Sequence, residues 1–118
     1  MKHSFNMNES DRIRLQHMLD AAREALSFAE GRSREDLKCD RMLSLSLVAE
    51  IQIIGEAASR VSLEVRQSAA GIPWGEIIGM RNRLFHAYGE INLDILWDTV
   101  QLALGPLILE LEALLARH

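Results

Sequence analysis

Apolar residues along this chain recur at helical spacing rather than in the strict alternation of strands. Between Ser10 and Glu30, Ile13, Leu15, Met18, Leu19, Ala22, Leu26 and Ala29 fall on one broad face, the three-and-four step of an amphipathic helix. Ser10 or Asp11 is placed to cap its start and Gly31 to stop it. The polar piece GRSREDLKCD follows as a connection with room for a short helical turn. From Asp40 to Val61 the pattern broadens. Leu47, Ile51, Ile54, Ala58 and Val61 form one stripe, and Met42, Leu45 and Val48 add a second. A helix apolar on more than one face is buried on more than one side, so this segment is central in a bundle or also forms a subunit interface. Gly55, Ala57 and Ala58 leave room for another helix to come close.

SLEVRQSAAG reads as a short helix capped by Ser62. Pro73 opens the third major helix, because its fixed φ suits a first turn. Trp74, Ile77, Ile78 and Leu84 are its packing residues, and Gly89 is its expected end. The last helix starts near Asn92 and runs almost to His118. Pro106 lies inside it, which predicts a kink with loss of the bond to the Leu102 carbonyl. The prediction is an all-α fold, an up-and-down bundle of four main helices with room for a short extra one.

Composition narrows this without changing it. A chain of 118 residues fits a single domain, 1–118, with one core. Aromatics are 5% of the residues, so that core must be aliphatic, and seven Gly and two Pro are few for the turns of a sandwich or barrel. The single cysteine, Cys39, has no intramolecular partner and fits a reducing cytoplasm. MKHSFNMNESDR holds no apolar stretch of signal-peptide length. The greasiest segments are broken by Glu50 and Gln52, and by Gln101, Glu110 and Glu112. Neither offers about 18 uncharged residues in a row, so no membrane span and a cytoplasmic location are expected. A formal charge of −4 argues against broad nonspecific nucleic-acid binding. Any such role needs a local gathering of positive charge.

The usual metal and nucleophile patterns are missing. No Asp or Glu stands three residues before a histidine, as the Glu-x-x-His pairs of helical di-metal sites require. There is no HExxH, GxSxG or Gly-rich phosphate loop. No metal or other cofactor is expected. Cys39 has no histidine nearby in sequence. Glu24, Glu30, Glu50, Glu56, Glu110 and Glu112 read as solvated helix faces. Glu56, set among small residues in GEAAS, is the one placed to reach a partner helix or a site.

MRNRLFHAYGE, residues 80–90, is richer. Arg81 carries a permanently charged fork that holds phosphate by two hydrogen bonds. Histidine as a residue type titrates near neutral pH and can move a proton, and His86 supplies one. Together they supply the minimum for cleaving RNA without a metal. The imidazole serves as base on a ribose 2′-OH or as acid on the leaving oxygen, and the guanidinium stabilises the phosphoryl charge. On an ideal helix, at roughly 100° per residue, Asn82 would reach His86 from one turn away and Tyr88 would share a face with Arg81, but Arg81 and His86 stand about 140° apart. Either the helix loosens before Gly89, or two chains pair so that two sets of Arg81, Arg83 and His86 line one cleft.

RNRLFHAY also matches Arg-x4-His-x-Tyr, and with it the chain resembles the HepT-like toxins of the HEPN-domain RNase family. DRIRLQHMLDAA, EIQIIGEAASRVS and IPWGEIIGMRNRLFHAYGEINLDILWDTV resemble the family's pattern in order and spacing, from Asp11 to about Val100. The resemblance implies a HEPN-like helical homodimer and a metal-independent endoribonuclease acting on tRNA or mRNA. It implies the toxin role in a type II toxin–antitoxin pair, with an MNT-type nucleotidyltransferase antitoxin as partner. Arg81 and His86 would be the catalytic pair, with Asn82 and Arg83 in support. Tyr88 would accept AMP from the antitoxin, which places bulk and negative charge where substrate must bind. The alternative is a noncatalytic HEPN module that helps a nucleotidyltransferase recognise its substrate.

Overall fold

In the computed structural model, which describes residues 7–117, Asn8 rather than Ser10 or Asp11 caps the first helix, α1 (Glu9–Ala29). Asn8 is extended, and its side chain accepts the Asp11 amide at 2.7 Å, which is the geometry a cap requires. Asp11 is buried and does other work. It accepts from the backbone N–H of Ser62 at 2.9 Å and from the Ser62 hydroxyl at 2.7 Å, tying the start of α1 to a distant turn. Gly31 stands past the end of α1 with φ +72°.

The polar connection holds α2 (Arg34–Cys39). Arg32 bridges Asp36 at 3.3 Å and Asp40 at 2.9 Å, and Asp40 caps α3 (Arg41–Ser59) by accepting from the Leu43 amide at 3.1 Å. On α3 the stripe of Leu47, Ile51, Ile54, Ala58 and Val61 is buried as the periodicity predicts. The second stripe divides: Val48 is buried, but Leu45 is exposed and Met42 is 80% exposed. Within one chain, α3 therefore buries one broad side and not two. That side packs against α1 and α5.

Ser62 caps α4 (Leu63–Ser68) as expected, its hydroxyl accepting the Val65 amide at 3.3 Å. Pro73 precedes α5 (Trp74–Leu84). Asn92 starts the last helix, accepting the Ile95 amide at 3.1 Å. That helix comprises α6 (Leu93–Asp98), a π-helical turn (Thr99–Ala103) and α7 (Leu104–Arg117). The irregularity expected at Pro106 lies one turn earlier, where the Leu104 amide reaches back five residues to the Thr99 carbonyl. A wider turn suits a proline ring that cannot sit over the carbonyl four residues back.

The chain is an all-α bundle, with four long helical segments and two short helices, α2 and α4, among the described residues, where one short helix was allowed for. Leu15, Met18, Leu47, Leu96, Leu111 and Leu114 form its fully buried centre. By length and composition alone, Arg41–Ser59 and Leu93–Arg117 are apolar enough to cross a membrane. Half of that stretch in α3 is buried in the bundle, as a core helix also requires.

Candidate active site

The helix that carries Arg81 is held at both ends. Trp74 is buried at its start and donates its indole N–H to the Ala69 carbonyl at 3.1 Å. Leu84 is fully buried at its end. Between them α5 lies close against α3, so that a Cβ on Gly55 would stand 3.2 Å from the Ile77 carbonyl oxygen. The small residue at 55 is what permits this approach.

The helix then stops at Leu84, not at Gly89. Phe85 is extended and pairs with Ile91 in an isolated antiparallel bridge. The His86 amide donates to the Glu90 carbonyl at 2.8 Å, the Gly89 amide to the His86 carbonyl at 2.9 Å, and the Asn92 amide to the Leu84 carbonyl at 2.7 Å. Gly89 reverses the chain at φ +91°. The pairing lets Phe85 and Ile91, six residues apart, both pack on the core. The mismatch in angle between Arg81 and His86 is thereby removed, because His86 is not on the helix. Two further expectations fall with it. The one-turn approach of Asn82 to His86 does not apply, nor does the shared helix face of Arg81 and Tyr88. His86 and Tyr88 instead sit on the exposed turn with their rings stacked, centroids 5.2 Å apart and planes 7° apart.

Arg81 is exposed, and among the described residues no carboxylate lies in ion-pair range of it. It lines a cleft of about 400 Å³ between α3 and α5, together with Gln52, Gly55, Glu56, Ser59 and Ile78. Arg83, two positions on and roughly 200° around the helix, opens onto a different pocket. That pocket, of about 410 Å³, lies between α3, α5 and the last helix, and Glu76, Asp98 and Glu110 line it beside apolar side chains. One chain therefore does not gather Arg81 and Arg83 on one cleft. Glu56, singled out in the sequence, reaches the Arg81 cleft, held by Arg60 through bonds of 3.0 and 2.8 Å to one carboxylate oxygen.

Among the described residues, no group of three or more His, Cys, Asp or Glu side chains is placed to hold a metal. His3 and His118 lie outside the described residues. Cys39 is exposed.

The acidic residue that the sequence reading passed over is Glu50. It is 5% exposed, and its Oε2 is the only buried side-chain oxygen or nitrogen without a partner among the described residues. Burial, then the hydrogen bond to Glu24, then the charge of Glu24 push its carboxyl up from the ordinary 4.5 to about 7. The signal was present in the pattern. Glu50 stands three residues after Leu47 and four before Ile54, inside the buried stripe.

Residues 18–114 match the family model described as Ribonuclease HepT-like, a span that includes Arg81, His86 and Tyr88. The chain is similar to a candidate RNase of Caldanaerobacter subterraneus subsp. tengcongensis, 36% identical over 86 residues, which are 73% of this chain and 77% of that one. It is 32% identical over 87 residues to a probable ribonuclease HepT of Thermococcus cleftensis, covering 70% of this chain and 79% of the relative. A candidate RNase of Methanocaldococcus jannaschii is 28% identical over 87 residues, covering 74% and 80%. No solved structure gives a significant match.

Proposed function

The chain belongs to the HepT-like ribonucleases of the HEPN type, and on that premise we propose that it is a metal-independent endoribonuclease with Arg81 and His86 as its catalytic pair. The carrying observation is the state of Arg81: exposed near the end of a helix anchored by buried Trp74 and Leu84, with no carboxylate in pairing range among the described residues, five residues before His86. A guanidinium free of protein carboxylates keeps its forked donors for phosphate.

The chemistry follows from the groups. His86 takes the proton of a ribose 2′-OH as that oxygen attacks the adjacent phosphorus. The bond from phosphorus to the 5′ oxygen breaks, the leaving oxygen takes a proton, and a 2′,3′-cyclic phosphate remains. Arg81 stabilises the charge that builds on the phosphoryl oxygens. Base and acid are two roles, and a homodimer with both turns on one cleft supplies a second imidazole. It also adds a second Arg81, part of the local positive charge that an acidic chain needs to hold RNA. Asn82 and Arg83 support binding, not the proton transfers.

In the same reading the protein is the toxin of a type II pair, acting in the cytoplasm. Its MNT-type nucleotidyltransferase antitoxin silences it at Tyr88. The phenol oxygen attacks the α-phosphorus of ATP, pyrophosphate leaves, and the phenol proton passes to a base or to solvent. Tyr88 is 72% exposed, as such an acceptor must be. The test is cleavage of tRNA and mRNA by purified protein in excess EDTA, with analysis of the new ends. Cyclic phosphate ends in wild type, lost in Arg81→Ala and His86→Ala, are expected. Intact RNA with the wild-type protein would favour the noncatalytic substrate-recognition module.

A further inference from the structure

The cleft beside Arg81 has features that cutting a phosphodiester does not require. Its α3 wall carries, beside Ile51, a polar and small-residue stripe, Gln52, Gly55, Glu56 and Ser59, at helix steps of three, one and three, and so on one face. The opposite face of α3 carries the core residues Ile54 and Ala58. The α5 wall is apolar, made by Ile77 and Ile78, and Arg81 shares the cleft with them. A volume of about 400 Å³ is in the range of small-ligand sites. An apolar wall suits the flat face of a nucleobase, and fixed polar groups suit its edge.

Glu56 is oriented for such a role. Arg60 donates from both Nε and Nη2 to Oε1 of Glu56, at 3.0 and 2.8 Å. That fixes the carboxylate and leaves Oε2 as an acceptor. Gln52, one turn earlier on the same face, offers both a donor and an acceptor. We propose that the α3–α5 cleft is a base-binding subsite for the nucleotide next to the scissile phosphate, with Glu56 and Gln52 selecting a base that presents an amino group, above all guanine. This rests on the ribonuclease reading and adds a specificity to it. Guanine presents two adjacent donors, N1–H and the N2 amino group, to the one open oxygen, Oε2, and its O6 accepts from the glutamine amide. Uracil presents one ring N–H between two carbonyls, and those carbonyls would face the Glu56 charge. The neighbouring pocket, with Glu76, Asp98 and Glu110 beside Arg83, is less suited to follow a phosphate chain.

The experiment is to digest a pool of single-stranded RNA with a randomised centre, using wild type, Glu56→Gln, Glu56→Asp and Gln52→Ala, and to sequence the new ends. Both residues lie on the surface side of α3, and thermal melts confirm that the variants fold. Wild type is expected to cut next to guanine in preference to uracil. Glu56→Gln is expected to lower that ratio by roughly tenfold, the scale of one good paired contact to a base edge. Gln52→Ala should shift it in the same direction, and Glu56→Asp should retain part of the preference. Cleavage by all four proteins with one unchanged base pattern would overturn the subsite while leaving the ribonuclease reading intact. No cleavage by wild type would overturn the ribonuclease reading, and the subsite with it.

Discussion

The imidazole of His86 lies parallel to the phenol ring of Tyr88, with 5.2 Å between centroids and 7° between planes. The residue proposed to move protons and the residue proposed to carry AMP are therefore in direct contact. A group attached at the Tyr88 oxygen would be held beside the imidazole. Tyr88→Phe keeps the stacked ring and removes only the acceptor. It is expected to retain RNA cleavage and to show no AMP adduct by intact-mass measurement after incubation with the antitoxin and ATP. An adduct of equal yield on Tyr88→Phe would place the modification elsewhere.

Arg81 and His86 differ in what their loss removes. Arg81→Ala should reduce the cleavage rate by roughly 10²–10³-fold, the scale of one lost transition-state donor. Arg81→Lys should recover little of it, because a point charge does not replace a fork. His86→Ala should reduce it by roughly 10²–10⁴-fold, as for one proton-transfer group. Both residues are exposed, so melting temperature should change little. Single-turnover rates beside thermal melts check all three.

Glu50 makes stability depend on pH. Its folded-state value is raised, from 4.5 to about 7, so the folded chain holds a proton that the unfolded chain has already released. Stability therefore falls as pH rises through that window and levels off above it. Asp36 and Asp40 are lowered from 3.8 and act in the opposite sense, at pH values below the window. Glu24, Asp20 and His17 line the same small cavity as Glu50, and Glu24 is the neighbour whose hydrogen bond and charge act on Glu50. Glu50→Gln can donate to Glu24 without a titrating proton. Melting temperature between pH 5 and 8 should decline for wild type and stay flatter for Glu50→Gln, which becomes the more stable of the two at pH 8.

Gly89 sets the turn that presents His86. At φ +91° a side chain is strained, although a Cβ there would meet no atom within 4 Å. Gly89→Ala should cost about 1–2 kcal/mol from the backbone alone, seen as a melting temperature lower by about 5 °C. Cleavage at a temperature where the variant is fully folded should fall further than stability does, because the Phe85–Ile91 pairing and the place of His86 depend on this reversal. Wild-type cleavage by folded Gly89→Ala would show that the turn does not position the imidazole.

Much of this was legible in the chain. Helical periodicity is a local property, so the main buried stripe of α3, the cap at Ser62, the helix starts near Asp40 and Asn92 and the stop at Gly31 follow from residues a few positions apart. The matching motif likewise marks Arg81, His86 and Tyr88 as the residues to watch. Less legible was anything decided by a partner far along the chain. Glu50 looked like a surface carboxylate until α1 brought Glu24 against it, and Asp11 looked like a cap until Ser62 claimed both its oxygens.

The site itself divides the same way. Its residue types, an Arg with a His and a Tyr close behind, are a matter of sequence. Their geometry is not, because spacing along an ideal helix separates Arg81 from His86 and aligns Arg81 with Tyr88. Only the tertiary structure ends α5 at Leu84, where Phe85 turns extended, pairs with Ile91 and packs with it against the core. That choice puts His86 against Tyr88 on a turn and turns Arg81 and Arg83 to separate clefts. Helical periodicity records which side of each residue is apolar; which surfaces meet depends on how the helices pack.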